Sequence, residues 1–162
     1  MALNDITLFT EGPFGYSGDD EYAVAASATT IKAGEPVMVA ALGDSVVIPA
    51  TTNTPVVATD YYVGIATTTS TNTATAAGTV KVKKMLPGQT YLIAPNDSTA
   101  FDTQAEYDAL VGDRVLLDLT STTYTILATD GATYGCVIMP LDISKTPKKV
   151  RFAFRRGVSY LS

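Results

Sequence analysis

The sequence predicts a mainly β domain, a barrel or a sandwich, with one short helix and extended terminal arms. Three observations predict it. Threonine is the commonest residue, 25 of 162, and with valine it favours strands because β-branched side chains fit a pleated surface. Short apolar or alternating runs recur, separated by turns drawn from 12 glycines and 8 prolines. A single capping-box pattern marks one helix. The 162 residues, 17.0 kDa, suffice for one domain with its own core, burying roughly 70% of the unfolded surface.

Residues 1–21 place Phe9, Phe14 and Tyr16 among Gly12, Pro13, Gly15 and Gly18, followed by Asp19, Asp20 and Glu21. Aromatics among turn residues read as an extended arm, lying on a neighbour or packing back on its own domain. The core spans 22–144. Its predicted strands are Tyr22–Thr30, Pro36–Leu42, Ser45–Pro49, Tyr61–Ala66, Thr79–Met85, Thr90–Ala94, Arg114–Leu119, Thr123–Ala128 and Tyr134–Pro140. Leu42 to Ser45 reads as a hairpin turn, and Lys81 and Lys83 alternate with Val80 and Val82 on a half-exposed strand. Residues 67–77 are threonine, serine, alanine and asparagine alone; without charge or large apolar groups they lie outside the core and read as a surface loop, open to proteases, or an exposed strand. Thr103 and Glu106 have capping-box spacing, Tyr107 and Leu110 follow at helical spacing, and Gly112 closes a helix of about two turns. In 145–162, Val150, Phe152 and Phe154 alternate with Arg151, Ala153 and Arg155, so this end is a strand with arginines on its exposed face.

Charge is unevenly placed. Residues 1–144 hold five basic and all sixteen acidic side chains, net −11, while 145–162 hold six basic side chains and no acidic one, net +6. The basic residues are Lys145, Lys148, Lys149, Arg151, Arg155 and Arg156. One reading pairs them with the acidic body of this chain or a neighbouring copy; another docks them on an acidic protein surface, where charge sets encounter and register. An acidic body and a pI near 4.5 argue against direct nucleic-acid binding. Charged residues are 17% of the chain, against about 25% in ordinary domains, which suits a surface that works against other protein.

The composition also bounds the chemistry. Histidine is absent and cysteine occurs once, at Cys136. That excludes histidine-based triads, histidine-ligated metals, four-cysteine zinc sites and intrachain disulfides. Gly43-Asp44-Ser45 has the form of a hydrolase nucleophile block but lacks a histidine base, and the turn reading explains it. Gly18-Asp19-Asp20 resembles a polymerase metal dipeptide without its context; a solvated acidic turn accounts for it. Cys136, in the apolar run Tyr134–Met139, reads as a small buried hydrophobe. Asp102, Glu106 and Asp108 are close in sequence, but Glu106 already caps the helix. No phosphate loop occurs. The expectation is a protein that is not an enzyme and uses no cofactor or metal. No run of 18 apolar residues is long enough for a membrane helix, and the start has no secretory pattern, so assembly in a cytoplasm is expected.

Three stretches carry a resemblance: Ile31-Lys-Ala-Gly-Glu-Pro-Val37, Tyr62-Val-Gly-Ile-Ala66 and Gly78-Thr-Val-Lys-Val82. In that order they resemble the small β-rich decoration, or cement, proteins of tailed-phage heads. The long N-terminal segment, the helix at 102–112 and the basic final strand lie outside that pattern. The resemblance implies a virion structural protein on the outer capsid surface that stabilises the head, with the major capsid protein and copies of itself, as a homotrimer, for partners. Such proteins bind the shell through terminal arms, which directs attention to Phe9, Phe14, Tyr16, Lys145, Lys148, Lys149, Arg151, Arg155 and Arg156. The alternatives are another virion part, such as a head-fibre base, tail or head–tail joining protein, or a β-module whose tyrosines stack on sugars.

Overall fold

The computed structural model describes residues 6–10, 18–27, 29–39, 41, 44–57, 59–86, 88–97, 99–120 and 123–155, with backbone alone for 7–10. The chain is mainly β. Its strands are β1 (Thr7–Thr10), β2 (Asp19–Val24), β3 (Pro36–Val39), β4 (Val47–Pro49), β5 (Tyr61–Ala66), β6 (Gly78–Lys84) and β7 (Thr90–Ile93), then β8 (Arg114–Val115), β9 (Leu117–Thr120), β10 (Thr123–Ile126), β11 (Cys136–Ile138) and β12 (Val150–Phe154). A 3-10 turn, Thr99–Phe101, precedes helix α1, Gln104–Leu110.

Two five-stranded antiparallel sheets form a sandwich-like body. The first has the order β2-β6-β5-β3-β4 and the second β1-β7-β12-β11-β8; β9 and β10 form a separate ribbon. The first sheet curls until Ala23 and Val46, at its opposite edges, meet in a parallel bridge. Its inner face holds Val24, Ile31, Val37, Val39, Val47, Val63, Val80 and Val82. Its other face gives Met38, Tyr62 and Met85 to the larger cluster shared with Tyr91, Ile93, Tyr124, Val150 and Phe152. β3 and β5 are therefore covered on both sides, and Tyr62 and Val63 are both fully buried. Tyr62 of the first sheet lies 5.0 Å from Phe154 of the second, and within the second sheet Tyr91 lies 5.7 Å from its cross-strand partner Phe152, spacings at which aromatic pairs add to area burial.

The predicted strands are found with shifted ends. The first begins at Asp19 and stops at Val24, because beyond it Ser27 N–H turns to the Thr73 carbonyl at 2.9 Å. The segment predicted as Arg114–Leu119 breaks at Leu116, where the chain leaves the second sheet; Leu117 N–H bonds the Thr54 carbonyl at 2.7 Å and β9 pairs with β10. Within the expected arm 1–21, residues 7–10 form β1 beside β7 and residues 19–21 open β2 beside β6. These parts pack back on their own domain as strands of its sheets, the second of the two readings of the arm. Residues 11–17, with Phe14 and Tyr16, lie outside the described residues. The helix forms as expected, with both hydrogen bonds of the Thr103–Glu106 capping box. Cys136 is fully buried, which pushes its thiol well above the ordinary value.

The exposed loop expected at 67–77 is fastened to the first sheet and contributes two buried side chains, Ser70 and Asn72. Ser70 Oγ accepts from Ile31 N–H at 2.9 Å and donates to Asn72 Oδ1 at 2.6 Å. Asn72 Nδ2 donates to the carbonyls of Ser27, 3.0 Å, and Thr29, 3.1 Å. Paired in this way, polar side chains are buried without penalty. Gly78 permits the approach, since a β-carbon there would overlap the backbone of Thr71 and Asn72.

Candidate partner-binding surface

β12 is held in the second sheet between β7 and β11, and its alternation decides which side chains enter the core. Val150 and Phe152 are fully buried; Arg151 stands on the opposite face. Rather than standing in solvent, Arg151 is half-buried: its Nε donates to Thr90 Oγ1 at 3.1 Å and its Nη1 to the Pro140 carbonyl at 3.2 Å. Arg155, just past the strand, is also half-buried. Its Nη1 donates to the carbonyls of Tyr134, 2.7 Å, and Ala132, 3.1 Å. Both guanidiniums clasp neighbouring backbone, a use suited to their planar array of donors.

The lysines differ. Lys145 is 81% exposed and 3.3 Å from Asp142, an i, i+3 surface pair of the kind that contributes little. Asp142 is held below its ordinary value by the Ser144 hydroxyl, then by Lys145. Lys148 is exposed, with φ at +57°, and borders a groove formed with Phe101, Asp102, Asp142 and Pro147; Lys149 is half-buried. The structure thus places Lys148 at a groove that also holds Gln104 of α1 and Lys145 beside Asp142, while Arg155 lies past the other end of β12, against Ala132 and Tyr134; elsewhere on the second sheet Arg114 pairs with Asp130. That last pair is bidentate, Nε to Oδ1 at 3.0 Å and Nη2 to Oδ2 at 2.9 Å, and it lowers the Asp130 carboxyl to about 2. Phe9 belongs to β1 by its backbone; Phe14, Tyr16 and Arg156 lie outside the described residues. Sequence alone did not single out Thr90, Pro140 or Tyr134, because a carbonyl or hydroxyl that receives an arginine is chosen by tertiary placement and leaves no local pattern.

The three motif stretches fall on adjacent strands of one sheet. Ile31 to Val37 ends in β3, Tyr62 to Ala66 is β5, and Gly78 to Val82 lies in β6; these neighbour one another in the order β6-β5-β3. Each motif has a local reason. Gly34 takes φ +90°, open to glycine at little cost. Glu35 closes the turn, its Oε2 accepting from Lys32 N–H at 2.6 Å. Gly34 N–H bonds the Ala66 carbonyl at 2.7 Å and Ala66 N–H the Glu35 carbonyl at 2.8 Å, locking the first motif to the end of the second. In β5, Val37 faces Gly64 and Met38 faces Tyr62, so Val63 is the extra residue of a bulge. At Gly64 a β-carbon would overlap the Lys83 carbonyl oxygen of β6.

No family model matches the chain, and searches of curated proteins and of solved structures return no similar protein.

Proposed function

We propose that this chain is a virion structural protein: a capsid decoration, or cement, protein that binds the outer surface of a phage head and stabilises it. The observation that carries the reading is that the three stretches resembling such proteins fall on neighbouring strands of one sheet, the first two joined by the Gly34–Ala66 and Glu35–Ala66 hydrogen bonds and the last two by the β5–β6 pairing. They act as one unit rather than as scattered short matches. A second support is the charge asymmetry of the chain, net +6 over residues 145–162 with Lys145 and Lys148 exposed, against net −11 over residues 1–144, an arrangement that orients a small protein on an acidic partner. Its partners on this reading are the major capsid protein and further copies of itself, and it adds buried interface across joints between capsid subunits. Each contact need only be weak, because many copies act on one particle.

The test is velocity sedimentation of a lysate from the native source, probing for this chain. Co-migration with intact heads, at a copy number tracking the shell subunits, supports the proposal. A copy number matching one ring at a single vertex replaces it with a joining protein. Absence from particles overturns it.

A further inference from the structure

A cavity of about 110 Å³ lies between the two sheets, lined by Ile6, Ile65, Thr67, Lys83, Gln89 and Tyr91. Ile65 comes from β5, Lys83 from β6 and Tyr91 from β7. Gln89, just before β7, is 2% exposed. Its Oε1 accepts from Leu86 N–H at 2.7 Å and from the Tyr91 hydroxyl at 2.9 Å. Two donors on that atom fix the orientation of the amide, and they leave Nε2 buried with no hydrogen-bond partner among the described residues. Buried donors are rarely left so in folded proteins. The charged part of the wall is balanced: Lys83 lies opposite Asp19 in the β2–β6 pairing, and Thr67 Oγ1 donates to Asp19 Oδ2 at 2.9 Å. Lys83 thus has a carboxylate on the same face of the sheet, and the rest of the wall carries no charge. Ile6, Ile65 and the Tyr91 ring supply apolar contact. For scale, an apolar cavity of roughly 150 Å³ accommodates benzene.

We propose that this cavity binds a small uncharged molecule with an apolar body of a few carbons and one carbonyl or hydroxyl oxygen. The oxygen accepts from Gln89 Nε2, and the body lies between Ile6, Ile65 and Tyr91. This site is independent of the capsid reading.

The test titrates 2-butanone into the isotope-labelled full chain while following the side-chain amide signals of Gln89 by NMR. The expected result is a saturable shift of those signals with a midpoint on the order of 1 mM. It should weaken by about tenfold or more in Ile65→Trp, which fills the cavity, and for isobutyrate and butylammonium, which carry charge. Ile65→Phe serves if the tryptophan variant does not fold. No saturable shift, a shift unchanged in the filled variants, or equal binding of the charged analogues overturns the proposal. So does a water cross-peak at the Gln89 amide that persists throughout the titration, because that donor is then satisfied by water alone.

Discussion

Gly64 is the point where a single methyl group decides whether two strands can touch. β5 runs so close to β6 that a β-carbon on residue 64 overlaps the Lys83 carbonyl oxygen, a backbone atom that cannot rotate away. Gly64→Ala should destabilise the fold by about 3 kcal/mol, the upper part of the range for overpacking, read as a lower urea midpoint at constant slope. A change under ~0.5 kcal/mol, typical of an unconstrained surface site, would contradict the close approach. Glu35 gives a prediction of a different kind. Burial raises its carboxyl above the ordinary 4.5, although the Lys32 backbone N–H and charge pull it down. A group raised in the folded state favours folding below its unfolded value, and that contribution is lost as pH rises through the folded value. Glu35→Gln keeps an acceptor for Lys32 N–H and removes the ionisation. The stability of the variant relative to the parent should therefore grow from acid toward neutrality and then level. A difference flat with pH would show that Glu35 does not titrate with folding.

At the scale of elements, the strands were legible because each carries its own period. Val80 and Val82 alternate with Lys81 and Lys83 whatever the rest of the chain does, and the capping box at Thr103 is satisfied by atoms three residues apart. The loop 67–77 was not legible, for a physical reason. Nothing in a threonine-rich stretch says that Asn72 will meet the carbonyls of Ser27 and Thr29, 45 and 43 residues away. β1 was missed on the same ground, since it is fixed by pairing with β7 far along the chain. The loop yields a direct test. Asn72→Ala removes three hydrogen bonds, leaving two carbonyls short of a donor and the Ser70 hydroxyl short of an acceptor, at a cost of about 1–3 kcal/mol. Limited proteolysis should leave 67–77 intact in the parent and cut there first in the variant. Prompt cleavage of the parent would mean the loop opens independently of the sheet.

At the scale of the molecule, the basic end divides into two parts with different work, a division that alternation and net charge alone did not reveal. Arg151 and Arg155 both clasp main-chain carbonyls around the second sheet, so replacing either disturbs folding and binding together. Lys145 and Lys148 are exposed, and Lys145 makes only a surface pair with Asp142. Charge reversal at these two lysines therefore separates the functions. The double variant Lys145→Glu, Lys148→Glu should unfold within ~0.5 kcal/mol of the parent, as surface substitutions do. On the proposed capsid reading, it should nevertheless bind heads more weakly and lose much of the salt dependence of binding, since salt screens the attraction between exposed charges and the variant no longer has that attraction to lose. Arg155→Ala should instead lower stability by about 1–3 kcal/mol, because the Tyr134 and Ala132 carbonyls lose a charged donor. If the lysine variant binds heads as the parent does at low salt, the basic end does not orient the protein on its partner. The docking surface must then be sought on the body of the two sheets.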